Sequence, residues 1–191
     1  FLKNIDIQNF TYQIEDFFEL PRFFIRDIYS YKNLNNFKNI NFINTGTINS
    51  KEANNFIKQH NGKNYLISYQ EILKGIFDTG KSFFHIHPGF LPNIKGADGS
   101  LHSIRIYDQV GCSLFKMVRN IDEGPVISRH KFNFSKLRLK NHENFNTRDL
   151  YRIWFSFFDP ALRCYLLDNF CKGKIDLTSS LIIDENESSK Y

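Results

Sequence analysis

Several features are missing from this chain of 191 residues. No apolar run approaches the ~20 residues that span a bilayer, and the start lacks the charged, apolar and small-residue build of a signal peptide. The three cysteines, Cys112, Cys164 and Cys171, are odd in number and lack metal-ligand spacing. That argues against a disulfide framework and a zinc site, and fits a reducing cytoplasm. No strand-linked Gly-X-Gly-X-X-Gly and no P-loop Lys-Ser/Thr occurs, so no nucleotide fingerprint is present. There are no internal repeats. The first residue is Phe1 rather than Met, so the chain is expected to be processed, cut or recorded from an interior start, with sequence missing upstream.

What is present allows one domain: 41% hydrophobic residues over this length supply a sizeable core but not two large ones. The aromatic share of 16%, chiefly 21 Phe, accompanies many Asn, Lys and Ile and reads as coding bias. A net charge of +5 suits an anionic partner such as phosphate, nucleotide or a polyglutamate tail. Basic residues are densest at Arg129, Lys131, Lys136, Arg138 and Lys140, where a solvated hairpin face explains them as well as a nucleic-acid patch does. Neither nucleic acid nor membrane is expected as a partner.

Residues 1–40 show no clear period beyond a helix over Pro21 to Tyr31, and are read as a divergent or incomplete N-terminal part of the same domain. From there the pattern alternates, giving a body over 41–175 and a tail over 176–191. A short strand at Ile40, Phe42 and Ile43 precedes a helix from Lys51 to about Gln59, capped by Asn49 or Ser50 and ended by Asn61-Gly62. Tyr65 to Tyr69 is a strand, Ile72 to Phe77 a short helix closed near Gly80, and Phe83 to His87 the next strand. The chain continues with helical turns over Ser100 to Tyr107, a hairpin over Gly111 to Lys131 turning at Asn120 to Gly124, and helices opening at Asn146-Thr147 and Asp159-Pro160. The fold class is therefore α/β: a mainly parallel twisted sheet with flanking helices, ending in a β-hairpin and C-terminal helices. The tail from Asp184 is acidic and Ser-rich.

The chemistry concentrates in Phe84-His85-Ile86-His87-Pro88-Gly89-Phe90-Leu91-Pro92 and Lys95-Gly96-Ala97-Asp98. Two histidines two residues apart project from one face of a strand that opens into a Pro-Gly loop, where α/β proteins place their sites. Asp122 lies 35 residues beyond His87, in the hairpin turn. An imidazole oriented by a carboxylate shuttles a proton near neutral pH. The same His-X-His spacing also serves metals in hydrolases, with Asp98, His102 and His130 as further ligands, so a metal-dependent hydrolase stays open as an alternative.

These segments resemble the 10-formyltetrahydrofolate-dependent formyltransferases. That family's Asn-X-His-Pro with a following Leu-Pro and Gly loop stands here as His85-Ile86-His87-Pro88-Gly89-Phe90-Leu91-Pro92. Its Gly-hydrophobic-Thr strand and Asp-X-Gly-Pro-Ile loop match Gly111 to Ile127 without a gap, with Asp122, Gly124 and Pro125 in place. Weaker similarity runs from Asn49 to Phe83 and from Thr147 to Gly173. The resemblance implies a Rossmann-related fold and an enzyme that moves a formyl group from 10-formyltetrahydrofolate to an amine. His87 and Asp122 would move the proton, and His85, at the usual Asn position, would face the oxyanion. It implies donor contacts at Tyr69, Ile72, Leu73, Asn120 and Ile121, and acceptor contacts at Gly89, Lys95, Gly96 and Asp98. No metal ligand is implied.

Two departures accompany it: His85 replaces Asn, and the glycine-containing first strand and loop have no counterpart before Ile40. The Pro88-Gly89 step and Gly96-Ala97-Asp98-Gly99 look most like the nucleotide-sugar N-formyltransferase branch, which implies a nucleotide-linked amino sugar as acceptor, a role in lipopolysaccharide or glycan biosynthesis, a cytoplasmic location and a possible homodimer. A folate- or nucleotide-binding remnant without catalysis is the other alternative.

Overall fold

The computed structural model describes residues 7–20, 22, 41, 43–69, 71–134 and 146–181. Among them no helix is long and apolar enough to cross a membrane. The expected Pro21 to Tyr31 helix, the Ile40 and Phe42 positions of the first strand, Lys136, Arg138 and Lys140, and the tail from Asp184 lie outside the described residues. Ile43 is described and belongs to no strand; it is exposed.

The chain begins with a helix that the sequence reading lacked, α1 (Ile7–Phe17). Ile14, Phe17 and Phe18 fall at helical spacing, and Ile14 and Phe18 are fully buried. The ring of Phe18 meets Phe132 edge-on at 4.9 Å and Phe158 at 4.7 Å. Helix α2 (Lys51–Gln59) has the expected bounds. Ser50 caps it by accepting from the Ala53 N–H at 3.0 Å, and Glu52 and Lys58 complement the two ends of its dipole. The helix closes at His60, whose N–H reaches the Phe56 carbonyl at 2.9 Å, before Asn61-Gly62.

Strand β1 (Asn64–Ile67) is followed by a single 3₁₀ turn at Gly75–Thr79 and by β2 (Ser82–His87). Helix α3 (Gly99–Tyr107) leads into β3 (Gln109–Lys116), and a tight turn joins β3 to β4 (Val126–Asn133). The four strands form one sheet in the order β1-β2-β3-β4. β1 and β2 are parallel, whereas β2 with β3 and β3 with β4 are antiparallel. The α/β class with flanking helices, a hairpin and C-terminal helices holds, but the sheet among the described strands is mixed rather than mainly parallel. The β3–β4 hairpin was expected; the departure lies between β2 and β3, where the loop and α3 return the chain antiparallel instead of crossing over to a parallel neighbour.

The C-terminal helices are continuous. Asn146 caps α4 (Thr147–Ile153) by accepting from the Asp149 N–H at 2.9 Å, a five-residue π turn covers Trp154–Phe158, and α5 (Asp159–Cys171) follows directly. Pro160 has no N–H to give to the carbonyl four residues back, and the widened turn rewinds the backbone there instead of breaking it. The two helices expected at Asn146 and Asp159 are thus one rod.

Alternation along β2 sorts the side chains. Phe84 and Ile86 join Val110, Cys112, Leu114, Ile127 and Phe132 in the main core, against α1 and α5. Phe83 points to the other face, into a smaller cluster with Ile57, Leu73 and Ile76. By the same period, His85 and His87 share the face of Phe83.

Ser113 on β3 fixes the loop that follows His87. Its buried hydroxyl donates to the Gly89 carbonyl at 2.8 Å and accepts from the Leu91 N–H at 2.9 Å. Ser113→Ala leaves both backbone groups unpaired in the interior. It is expected to cost about 1–3 kcal/mol in urea unfolding, and an unchanged midpoint would show that the loop is held by other means.

Candidate active site

The loop after β2 and the turn between β3 and β4 meet over the sheet. The backbone N–H of Gly96 donates to Asp122 Oδ2 at 2.8 Å, and Lys95 Nζ pairs with Glu123 Oε1 at 3.2 Å. Asp122 has a φ of 54°, in the left-handed region that aspartate tolerates better than most residues, and this turns its carboxylate inward. It faces His87, with Nδ1 and Oδ2 3.6 Å apart and the His87 side chain only 4% exposed. The two groups on which the site reading depended therefore converge.

Proton placement follows from geometry. The Ile94 carbonyl lies 3.0 Å from His87 Nε2, and a carbonyl only accepts, so Nε2 carries a hydrogen. In the neutral ring Nδ1 is then a lone pair facing a carboxylate, two acceptors across a gap longer than a hydrogen bond. A proton arriving on Nδ1 turns that repulsion into an ion pair.

Glycines define the seat of this ring. A Cβ on Gly89 would lie 2.5 Å from His87 Nε2 and 3.0 Å from the Ile94 oxygen, and a Cβ on Gly99 would lie 3.0 Å from Nε2. Gly89 therefore serves as packing beneath the imidazole and does not line the cleft. Lys95 is likewise placed outside, spent on Glu123.

The cleft itself encloses about 470 Å³. His85, His87, Asp122, Tyr69, Ile72, Leu73, Asn120, Ile121, Gly96 and Asp98 all line it. His85 Nδ1 lies 2.8 Å from the Ile67 carbonyl and so donates to it, which leaves the neutral ring with only a lone pair at Nε2. Neutral His85 cannot donate to an oxyanion; only its imidazolium can.

Several lining residues were absent from the sequence reading, among them Met117, Arg119 and Arg163. Arg119 pairs with Asp78 at the exposed rim. Arg163 comes from α5 and is tied to Asp159 by Nη2 to Oδ2 at 2.7 Å, while Asp159 also accepts from Ser100 Oγ at 3.0 Å. A salt-bridged arginine one turn into a helix carries no motif in one dimension. The i,i+4 spacing of Asp159 and Arg163 was the available signal.

The metal alternative finds no ligand set. Among the described residues no three His, Cys, Asp or Glu side chains are grouped to hold an ion. His85 and His87 each give one ring nitrogen to a carbonyl, and His130 stacks with Phe132 and Tyr165 on the main-core side.

Comparison with known proteins gives structural likeness only. No family model matches the chain, and no curated protein matches it in sequence. Among solved structures, it is similar to phosphoribosylglycinamide formyltransferase from Campylobacter jejuni, at 19% identity and a TM-score of 0.42, over 62% of this chain and 60% of that one. It is similar to a sugar N-formyltransferase from Shewanella sp, at 17% and 0.46, over 72% and 52%. A third is the N-formyltransferase from Helicobacter canadensis in complex with folinic acid and dTDP-3-aminofucose, at 20% and 0.40, over 65% and 43%. The chain spans 43–60% of the length of these proteins. At such values the chemistry of the site stands on its own residues.

Burial pushes the His87 pKa below the ordinary 6.5, with Asp122 pulling the other way. The native state then binds this proton less readily than the unfolded chain does. The stability conferred by a neutral His87 is complete above that ordinary value and is lost as pH falls through it. Unfolding free energy should therefore drop between about pH 7.5 and about pH 5.5, and His87→Asn should flatten the slope. A wild-type stability that rises on acidification would show that Asp122 dominates instead.

Proposed function

We propose that this protein is an N-formyltransferase that uses 10-formyltetrahydrofolate as donor and a small amine, a nucleotide-linked amino sugar, as acceptor. The observation that carries the reading is the inward-facing pair of His87 and Asp122, on the same loop and turn that carry the family-like residues. The donor supplies the activated formyl group. As the amine bonds to the formyl carbon, His87 Nδ1 takes the proton that the amine loses, and Asp122, fixed by the Gly96 N–H, stabilises the imidazolium; when the bond from that carbon to N10 breaks, the proton passes to N10 of the departing tetrahydrofolate. A buried ring that is neutral near pH 7 is suited to accept that proton.

The cleft fits a flat, partly apolar donor. Tyr69, Ile72, Val118 and Ile121 all line it, yet they are 43%, 60%, 38% and 56% exposed, an apolar rim that a heteroaromatic ring would cover. Asn120 stands beside Ile121 on this rim, and Leu73 is buried behind Ile72. Gly96 and Asp98 flank His87 on the loop side, where they would meet the acceptor.

His87→Asn and Asp122→Asn, assayed for formyl transfer to thymidine diphosphate amino sugars, should each lower kcat by about 10²-fold or more. Circular dichroism should show both variants folded. Wild-type turnover in either variant would remove that residue from the mechanism.

A further inference from the structure

A second groove adjoins the cleft. It encloses about 220 Å³ between the end of β1 and α5 and shares Ile67, His85 and Arg163 with the larger space. Its other walls are mostly apolar, with Ser68 at the mouth, and among the described residues Arg163 is the only lysine or arginine lining it. The charge there is preorganised. Asp159, 4% exposed, holds one nitrogen of the guanidinium, and its second oxygen is occupied by Ser100, whose hydroxyl in turn accepts from Trp154 Nε1 at 2.9 Å. Arg163 Nε is buried with no partner among the described residues, and the side chain as a whole is 31% exposed, so the guanidinium end faces the two cavities that Arg163 lines.

A tethered arginine whose partly exposed guanidinium stands at the junction of two cavities is placed to receive an oxyanion. The planar fork matches phosphate oxygens, and the tether to Asp159 removes much of the rotamer freedom that binding would otherwise cost. We infer that Arg163 binds a phosphate of the acceptor in this groove, so that the acceptor passes His85 to bring its amine toward His87. This rests on the formyl-transfer reading above. It makes Arg163 a substrate-binding residue that sets specificity for phosphorylated acceptors.

Calorimetric titration of the whole chain with thymidine diphosphate, uridine diphosphate and 5-formyltetrahydrofolate tests it. Arg163→Gln should weaken nucleoside diphosphate binding about 10- to 100-fold and leave the folate constant within about twofold. Because removing the arginine strands the Asp159 carboxylate, two further variants keep the test sound. Arg163→Lys, which preserves the charge, should fall between wild type and Arg163→Gln, and Ser68→Asp, which places a negative charge at the exposed mouth, should weaken the nucleotides alone. Unchanged nucleotide affinity in Arg163→Gln or Ser68→Asp would overturn the inference, as would a loss confined to the folate, which would assign the arginine to the donor's carboxylates. Wild type that binds the folate but neither nucleotide also overturns it while leaving the formyl-transfer reading intact; wild type that binds none of the three ends both.

Discussion

The confinement of one imidazole organises this molecule. His87 sits at the end of a strand, 3% exposed, with glycine on two sides, a carbonyl on one nitrogen and a carboxylate opposite the other. Burying a polar ring is unfavourable unless its donor is satisfied, and the Ile94 carbonyl does that. Once Nε2 is committed, the ring cannot flip without losing that bond, and Nδ1 is left as the only nitrogen able to gain or lose a proton. A structural hydrogen bond therefore selects the working atom.

Everything that touches this ring is held from elsewhere. The loop that supplies Gly89 and Ile94 is anchored to β3 through Ser113, and the turn that supplies Asp122 is anchored to the same loop through Gly96 and Lys95. Gly124 permits that turn to close, since a Cβ there would fall 1.6 Å from the Lys116 carbonyl oxygen. The antiparallel return of β4 matters for the same reason: it places the turn at the end of the sheet where β2 delivers its histidines. The outcome is a pair in which His87 closes a regular strand and Asp122 sits on an irregular turn held by the strands on either side.

The legible parts of the sequence were those in which local chemistry and tertiary role coincide. Ser50 ahead of a polar helix with Ala53 and Ile57 on one face, the alternation of β2, and the turn residues at Asn120 to Gly124 announce themselves because cap, period and turn each need particular side chains. The convergence of His87 and Asp122 could be argued from topology alone. Helix α1 was illegible because its stripe of Ile14, Phe17 and Phe18 is short and set among residues that break the pattern; packing against Phe132 and Phe158 decides it. The direction of β3 against β2 was misjudged because short strands separated by helical segments suggest crossovers, whereas α3 here returns the chain antiparallel. Gly89 was assigned to a ligand because a sequence shows that close approach is needed but not what approaches; here it is the imidazole itself.

His85 stands where the sequence resemblance expects an amide, and the two groups offer different chemistry to the cleft. An amide side chain presents a donor and an acceptor together, at any pH. His85, with Nδ1 given to the Ile67 carbonyl, presents an acceptor when neutral and a donor when charged, never both. If negative charge develops on an oxygen beside this ring, the neutral form opposes it and the imidazolium favours it. Protonated His85 would also lower the proton affinity of His87, whose pKa already feels that neighbour in the same direction as burial. Arg163, lining the same two cavities, supplies a fixed positive charge that does not depend on either ring.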